Sequence, residues 1–435
     1  MTHSSSSHPS LPLFLTVFVF IMVHALELEE IRCRIGLFLS SHDLDACSKV
    51  CLSWGNTFRP MLWHHVTLDR TRENARSPRP LRTPSIHTLN QHASLIRSFT
   101  FKGPIPSEFV SYLPNKLHYN EISPLISLSL LNAAVPQRRI MYWSFLAQLV
   151  MLSSSTLQEF SILDPDHCFS EALLKQFFIR RPSGHVVIRK IQWGALRHLT
   201  LSLHCVVYLE TWNVMLEIFQ QLESLELGYL QLNSTVSPDF KPVDDNDRAQ
   251  PETATTLCQQ YQHQQQARFP HLRWIKLTYL AGISSKTCLN LLVAQSPSLQ
   301  SLCWTIRKNR GFSAREFYRL LKAGTWPRLE ALEIYGRPIQ IPDHLLAAIL
   351  NVDSTRAGKQ ATFRKLCVPG SKFGSMAMTA VLSPTRGHTK TLRELDLCCC
   401  SQVSRGMTQN IIAGCPRLEV FNRRTLATCF CSLFL

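Results

Sequence analysis

The chain has 435 residues, 45% of them hydrophobic, which is the make-up of a folded protein with room for two or more ordinary domains or one long repeat array. Its 46 basic and 30 acidic residues leave a net charge of +16. The basic pairs Arg138-Arg139, Arg180-Arg181 and Arg423-Arg424 are scattered, so the composition describes a solvated basic surface and argues against a nucleic-acid site.

Residues 1–25 form an apolar leader. Leu11–Val23 is an apolar run, and Val23-His24-Ala25 has the form of a cleavage site. The run is short for a bilayer span, and no Lys or Arg precedes it. The leader is read as an extra piece that is not native or is weakly membrane-associated.

Residues 26–68 carry apolar positions at helical spacing. Ile31, Ile35 and Leu39 fall at i, i+4, i+8, which predicts one helix. Asp43 is the expected N-cap of a second helix. Val50, Cys51, Trp54 and Phe58 predict a third. Three short helices make a small core, so the unit is expected to lean on a partner or on the rest of its chain. The segment resembles an F-box in Glu30-Ile31, Ile35, Leu39, Asp43-Leu44, Val50-Cys51, Trp54 and Leu62-Trp63. Leu28-Glu29 stands where that family opens with Leu-Pro.

A linker is assigned to residues 69–92, and a repeat follows. The pattern L-x-x-L-x-L, with other apolar residues allowed, starts at Ile96, Leu125, Leu157, Leu196, Leu222, Leu272, Leu299, Leu329, Phe363 and Leu392, and Leu418-x-x-Phe421 begins another copy. Each L-x-L alternation puts two apolar side chains on one face of a short strand. Helical stretches are expected at Thr287–Ala294, Ala314–Ala323 and Leu345–Leu350. Pro270, Pro297, Pro327 and Pro416 each stand two residues before the next repeat's leucine, where proline ends a helix and opens extended chain. One strand and one helix cannot bury their own apolar faces, but stacked neighbours can. Repeats fill 93–233 and 269–422. A polar, Gln-rich insertion at 234–268 separates them, and an apolar tail follows at 423–435. The copy from Thr391 to Leu418 resembles the cysteine-containing leucine-rich repeat in Leu392, Leu395, Leu397, Cys400, Val403, Met407, Cys415-Pro416 and Leu418. The fold expected is therefore an α/β solenoid, a leucine-rich-repeat horseshoe of short parallel strands and helices, preceded by a small three-helix F-box domain.

The fifteen cysteines do not form a ligand pattern. Cys205, Cys303, Cys367 and Cys398 fall in or just after strand-like runs, where cysteine serves as a small apolar residue, and no CxxC…CxxC or Cys/His spacing occurs. Reduced thiols in a cytoplasmic or nuclear protein follow. His64-His65 is read as a surface or packing pair and Cys429-x-Cys431 as inert. Asn233-Ser234-Thr235 is a glycosylation sequon that matters only on the secretory route. No phosphate-loop, dinucleotide-binding, nucleophile-elbow or zincin motif is present, so no catalytic residue, metal or cofactor is assigned.

Together the two resemblances imply a substrate receptor of a cullin-based ubiquitin ligase. The F-box would dock a Skp-type adaptor, and through it a cullin, by Ile31, Ile35, Leu39, Leu44, Val50, Trp54, Leu62 and Trp63. The concave strand face would hold an unknown target protein. There Trp274 and Tyr335 are expected anchors, and Lys276, Glu333, Lys365, Glu394 and Asp396 are expected to set charge complementarity. Neither a nucleic-acid nor a membrane partner is expected. Two rival readings remain: an F-box-like repeat scaffold acting outside a ligase, and a secreted or membrane-anchored recognition protein suggested by Leu11–Val23.

Overall fold

The structure is a computed structural model, and it describes residues 26–69, 84–103, 125–131, 139–169, 174–175, 179–180, 189–190, 193–233, 269–282, 284–306, 312–336, 341–352, 362–385 and 387–423. The leader, the insertion at 234–268 and all but the first residue of the tail lie outside these residues, as do Cys429 and Cys431.

Three helices open the chain: α1 (Glu29–Gly36), α2 (Ser41–Ser48) and α3 (Leu52–His64). Their bounds correct the sequence reading. The first helix stops at Gly36, so Leu39 lies in the following turn. Ser40, not Asp43, is the N-cap of α2; its hydroxyl accepts from the Asp43 backbone N–H while the Asp43 carboxylate accepts from Ser40 N, a capping box with Asp43 at the third position. Val50 precedes α3, and Cys51 is its N-cap. Helix α3 runs through Pro60 to His64 and delivers Trp63 onto the His92 ring at 4.3 Å, against the core of the repeats.

Twelve parallel strands then form one open sheet with helices. They are β1 (His65–Asp69), β2 (Ser98–Lys102), β3 (Ser127–Leu131), β4 (Glu159–Phe169), β7 (His198–Tyr208), β8 (Ser224–Asn233), β9 (Trp274–Thr278), β10 (Ser301–Ile306), β11 (Ala331–Gly336), β12 (Lys365–Cys367), β13 (Glu394–Asp396) and β14 (Val420–Asn422). The short strands β5 (Ile179–Arg180) and β6 (Arg189–Lys190) pair only with each other. Within the large sheet each strand bonds to its neighbours in sequence, the order expected of an α/β solenoid. Every repeat leucine pattern from Ile96 onward coincides with one of these strands.

The strand β1 was not anticipated. All but its last residue falls inside the segment 26–68, and Val66 and Leu68 are buried as the first inward pair of the sheet. Helix α4 (Ile86–Gln91) likewise falls in the presumed linker but buries Leu89 in the repeat core. Both are too short to show a periodic pattern, and only pairing with β2 for the strand and burial in the repeat core for the helix make them part of the array.

The repeats share one construction. Along each strand inward apolar residues alternate with partly exposed ones, as in the buried pair Ile275 and Leu277 of β9 between Trp274, Lys276 and Thr278. Just before the strands, the N–H of each repeat bonds the carbonyl of the previous one, from Arg97→His64 to Glu419→Arg393, at 2.7 to 3.1 Å. The four prolines sit in turns closed by Leu272→Phe269, Leu299→Ser296, Leu329→Trp326 and Leu418→Cys415 bonds, where a fixed φ suits the second turn position. Helices complete the units: α5 (Arg139–Ser153), α6 (Leu209–Phe219), α7 (Ser285–Cys288, continued by a π turn Leu289–Val293), α8 (Ala314–Lys322), α9 (Asp343–Leu350), α10 (Ser375–Leu382), α11 (His388–Thr391) and α12 (Arg405–Gly414). Side chains across repeats add polar ties. His388 accepts the Phe363 N–H on Nδ1 at 3.3 Å, which leaves Nε2 to donate to the Leu350 carbonyl at 2.9 Å.

Strands β7 and β8 run 11 and 10 residues, about twice their neighbour β9 with its 5. Apolar alternation continues past a register shift between Ser202 and Cys205, through Cys205, Val207, Leu230 and Leu232. Gly228 permits this: a Cβ there would lie 2.5 Å from the Ser202 hydroxyl.

Candidate interaction surfaces

The first surface is built by α1–α3. Arg32 is buried at 5% exposure, and its guanidinium donates to Thr57 Oγ1 (3.1 Å) and to the Leu26 and Glu27 carbonyls (2.9 and 2.6 Å). Gly36 lets α1 approach α3; a Cβ there would meet the Met61 side chain at 2.6 Å. Leu44 and Phe58 fill the small core. With the interior occupied this way, six apolar side chains stay outside: Leu28 (54% exposed), Ile35 (37%), Leu37 (75%), Phe38 (88%), Val50 (62%) and Leu52 (82%). Apolar residues this densely exposed mark an interaction surface rather than ordinary surface scatter.

The residues assigned to adaptor docking therefore divide. Ile35 and Val50 are exposed. Ile31, Leu39, Trp54 and Leu62 are partly buried, with the Trp54 ring set edge-on to Phe58 at 5.4 Å. Leu44 is interior, and Trp63 faces the repeats, so these two hold the unit together rather than present it. Sequence reasoning missed Leu37, Phe38 and Leu52. The Leu37-Phe38 step after Gly36 is the signal that could have found two of them, since apolar residues in a turn have no helix face to hide behind. Glu29 takes the first helical position, where proline is favoured, and with Glu30 places two acidic residues in the first turn, which suits the helix dipole. The His64 and His65 rings lie 4.6 Å apart, tilted at 45°; partial burial, then the neighbouring His65 and Arg97, lower the His64 pKa.

The second surface is the sheet face opposite the helices. Its central row is in register across the strands and changes character midway. Thr67, Thr100, Ser129, Ser161 and Thr200 come first, followed by Glu226, Lys276, Cys303, Glu333, Cys367 and Asp396. The row beside it passes through Trp274, Ser301, Ala331, Lys365 and Glu394. Thus the structure brings Lys276, Glu333, Lys365, Glu394 and Asp396 onto one face with Trp274, and Tyr335 lies on the same strand as Glu333. Lys276 pairs with Glu226 at 2.7 Å, and Lys365 bridges Glu333 (3.3 Å) and Glu394 (3.0 Å). The Tyr335 hydroxyl donates to Glu333 at 2.9 Å. Partial burial opposes the charge of Lys365, but Glu394 and Glu333 outweigh it and raise the pKa. Cys303 and Cys367 share the central row yet are buried between their neighbours, and burial pushes each thiol up to about 12. They contribute packing, not contact surface.

Among the described residues no His/Cys/Asp/Glu group could hold a metal ion, and no helix is long and apolar enough to cross a membrane. No protein-family model matches the chain, and no curated protein matches it. Among solved structures, the chain is similar to one from the crystal structure of the Rad7 and Elc1 complex in yeast, at 14% identity over 95% of this chain and 92% of that chain, with a TM-score of 0.44. Likeness at that level carries no functional weight, and the two surfaces stand on their own geometry.

Proposed function

We propose that the chain is the substrate-recognition subunit of a cullin-RING ubiquitin ligase of the Skp-adaptor type. Helices α1–α3 act as the F-box, docking the adaptor, and the outward face of the leucine-rich repeats holds a target protein for ubiquitin-dependent degradation. The observation that carries this reading is the exposed apolar patch from Leu28 to Leu52, displayed by a three-helix unit whose sequence resembles an F-box and whose last helix is seated on the repeat core through Trp63. A rigid seat matters because the work is done by proximity: a target held at a fixed distance from the ubiquitin-loaded enzyme has its lysines at raised effective concentration. Such a role asks for two binding faces and no catalytic group in this chain.

The test is co-purification of a Skp-type adaptor with the intact chain, compared with a Phe38→Asp/Leu52→Asp variant. Both residues are more than 80% exposed, 88% and 82%, so the variant keeps its fold. The adaptor is expected with the wild type and to be lost with the variant. Trp54→Ala is a poorer probe because its ring packs on Phe58 and its loss would disturb the helices themselves. An intact chain that retains no adaptor would sink the proposal.

A further inference from the structure

A left-handed residue stands in or just after the strand in six repeats, always two positions after the second inward apolar residue: Gly103 (φ 78), Tyr229 (59), Tyr279 (52), Gly336 (138), Gly370 (75) and Cys399 (60). Glycine adopts this conformation freely, whereas a residue with a Cβ is disfavoured by about 1–2 kcal/mol. Adjacent strands β8 and β9 nevertheless both place tyrosine there. The two rings meet edge-to-face at 5.4 Å, and His204 of β7 adds a third ring 4.7 Å from Tyr229. The His204–Tyr229 and Tyr229–Tyr279 contacts, at about 0.5–1.5 kcal/mol per aromatic pair, offset part of this strain. All three rings are partly exposed. Strain maintained at accessible residues is a pointer to binding.

The charges on the outward sheet face of these strands and their neighbours indicate what would bind. From β8 to β13 it carries Glu226, Glu333, Glu394 and Asp396 against Lys276 and Lys365, an excess of two acids on a chain whose net charge is +16. Aromatic faces and an acidic surplus attract a cation, arginine above all, and repel nucleic acid and acidic peptides. Five strand spacings of about 4.8 Å give a strip of about 24 Å, the reach of about seven extended residues.

We propose that the His204, Tyr229 and Tyr279 rings seat an arginine or lysine side chain of an extended, basic target segment that continues across the acidic strip toward Asp396. This rests on the reading of the sheet face as the target site.

The experiment is selection of phage-displayed random heptapeptides on the full-length chain, followed by affinity measurements with the synthesised winners. The comparison is with Tyr229→Gly/Tyr279→Gly, which relieves both strained positions, and with Tyr229→Phe/Tyr279→Phe, which keeps both rings. Expected are basic winners whose affinity falls at least about tenfold in the glycine variant and is kept in the phenylalanine variant, with the glycine variant's melting temperature unchanged or raised. Acidic or neutral winners, no enrichment, or unaltered binding to the glycine variant would overturn the proposal. So would unfolding of the glycine variant, which would make the rings a packing element. Adaptor co-purification reads the ligase assignment separately: adaptor retained without basic winners sinks this inference alone, and basic winners without adaptor sink the ligase assignment alone.

Discussion

Asp343 ties one repeat to the next, and its removal gives the sharpest test of how the array is held. It stands in the first turn of α9, but its carboxylate caps the following helix α10. Oδ1 accepts the backbone N–H groups of Gly374 (2.8 Å) and Ala377 (2.9 Å), and Oδ2 accepts that of Met376 (3.0 Å). The Met376 bond is exposed, so in Asp343→Ala that N–H returns to water at little cost. The other two are partly buried, and each is expected to lose about 1 kcal/mol, for a total of about 2 kcal/mol. Asp343→Asn can set its one carbonyl oxygen in the Oδ1 place and keep both partly buried bonds, so it should lose less than half of that. Gly374→Ala attacks the same contact from the other side, because its Cβ would lie 2.6 Å from Asp343 Oδ2. The two substitutions act on one interaction, so the double variant should be little worse than either single one. Urea denaturation of the full chain measures the loss. Hydrogen exchange over residues 374–377 locates it, with faster exchange expected in each variant. A loss below about 0.5 kcal/mol for Asp343→Ala, or full additivity of the pair, would refute the reasoning.

Three further outcomes are expected. The Arg319 guanidinium, then the Asn290 amide, hold the Glu316 carboxyl down from 4.5 to about 2, so its contribution is fully present above pH 4.5 and lost as pH falls through about 2. The melting-temperature gap between wild type and Glu316→Gln should thus close between those values; a gap that persists at pH 2 argues against it. Gly282→Ala should free the end of β8, since φ is +89 and a Cβ would lie 1.6 Å from the Leu232 carbonyl oxygen; unchanged exchange at Leu232, whose N–H bonds Ala281, would contradict this. Burial pushes the Cys288 and Cys303 thiols to about 12, so iodoacetamide at pH 8 should label exposed Cys51 first and reach those two only after unfolding, as read by mass spectrometry. Labelling of Cys303 in the native chain at the rate of Cys51 would count against the buried central row.

The sequence by itself determined the repeat. A period-2 apolar pair recurring with proline in phase admits little besides stacked parallel strands, because each pair can be buried only by its neighbours, and every strand predicted from Ile96 onward is present. It also determined which alternate residues share the outward face, since the register carries Lys276, Glu333 and Asp396 along one row. What it could not determine depended on contacts between segments distant in sequence. The strand β1 and helix α4 join the array because β2 and the repeat core lie beside them, not because their own residues insist on it. Leu44 and Leu52 are leucines of neighbouring helices, yet one is 8% exposed and the other 82%, a difference fixed by how α2 packs on α3. Tyr229 and Tyr279 look like ordinary strand aromatics in sequence. Only the fold shows that both adopt a left-handed backbone that favours glycine, because backbone sign is set by where the next repeat must go.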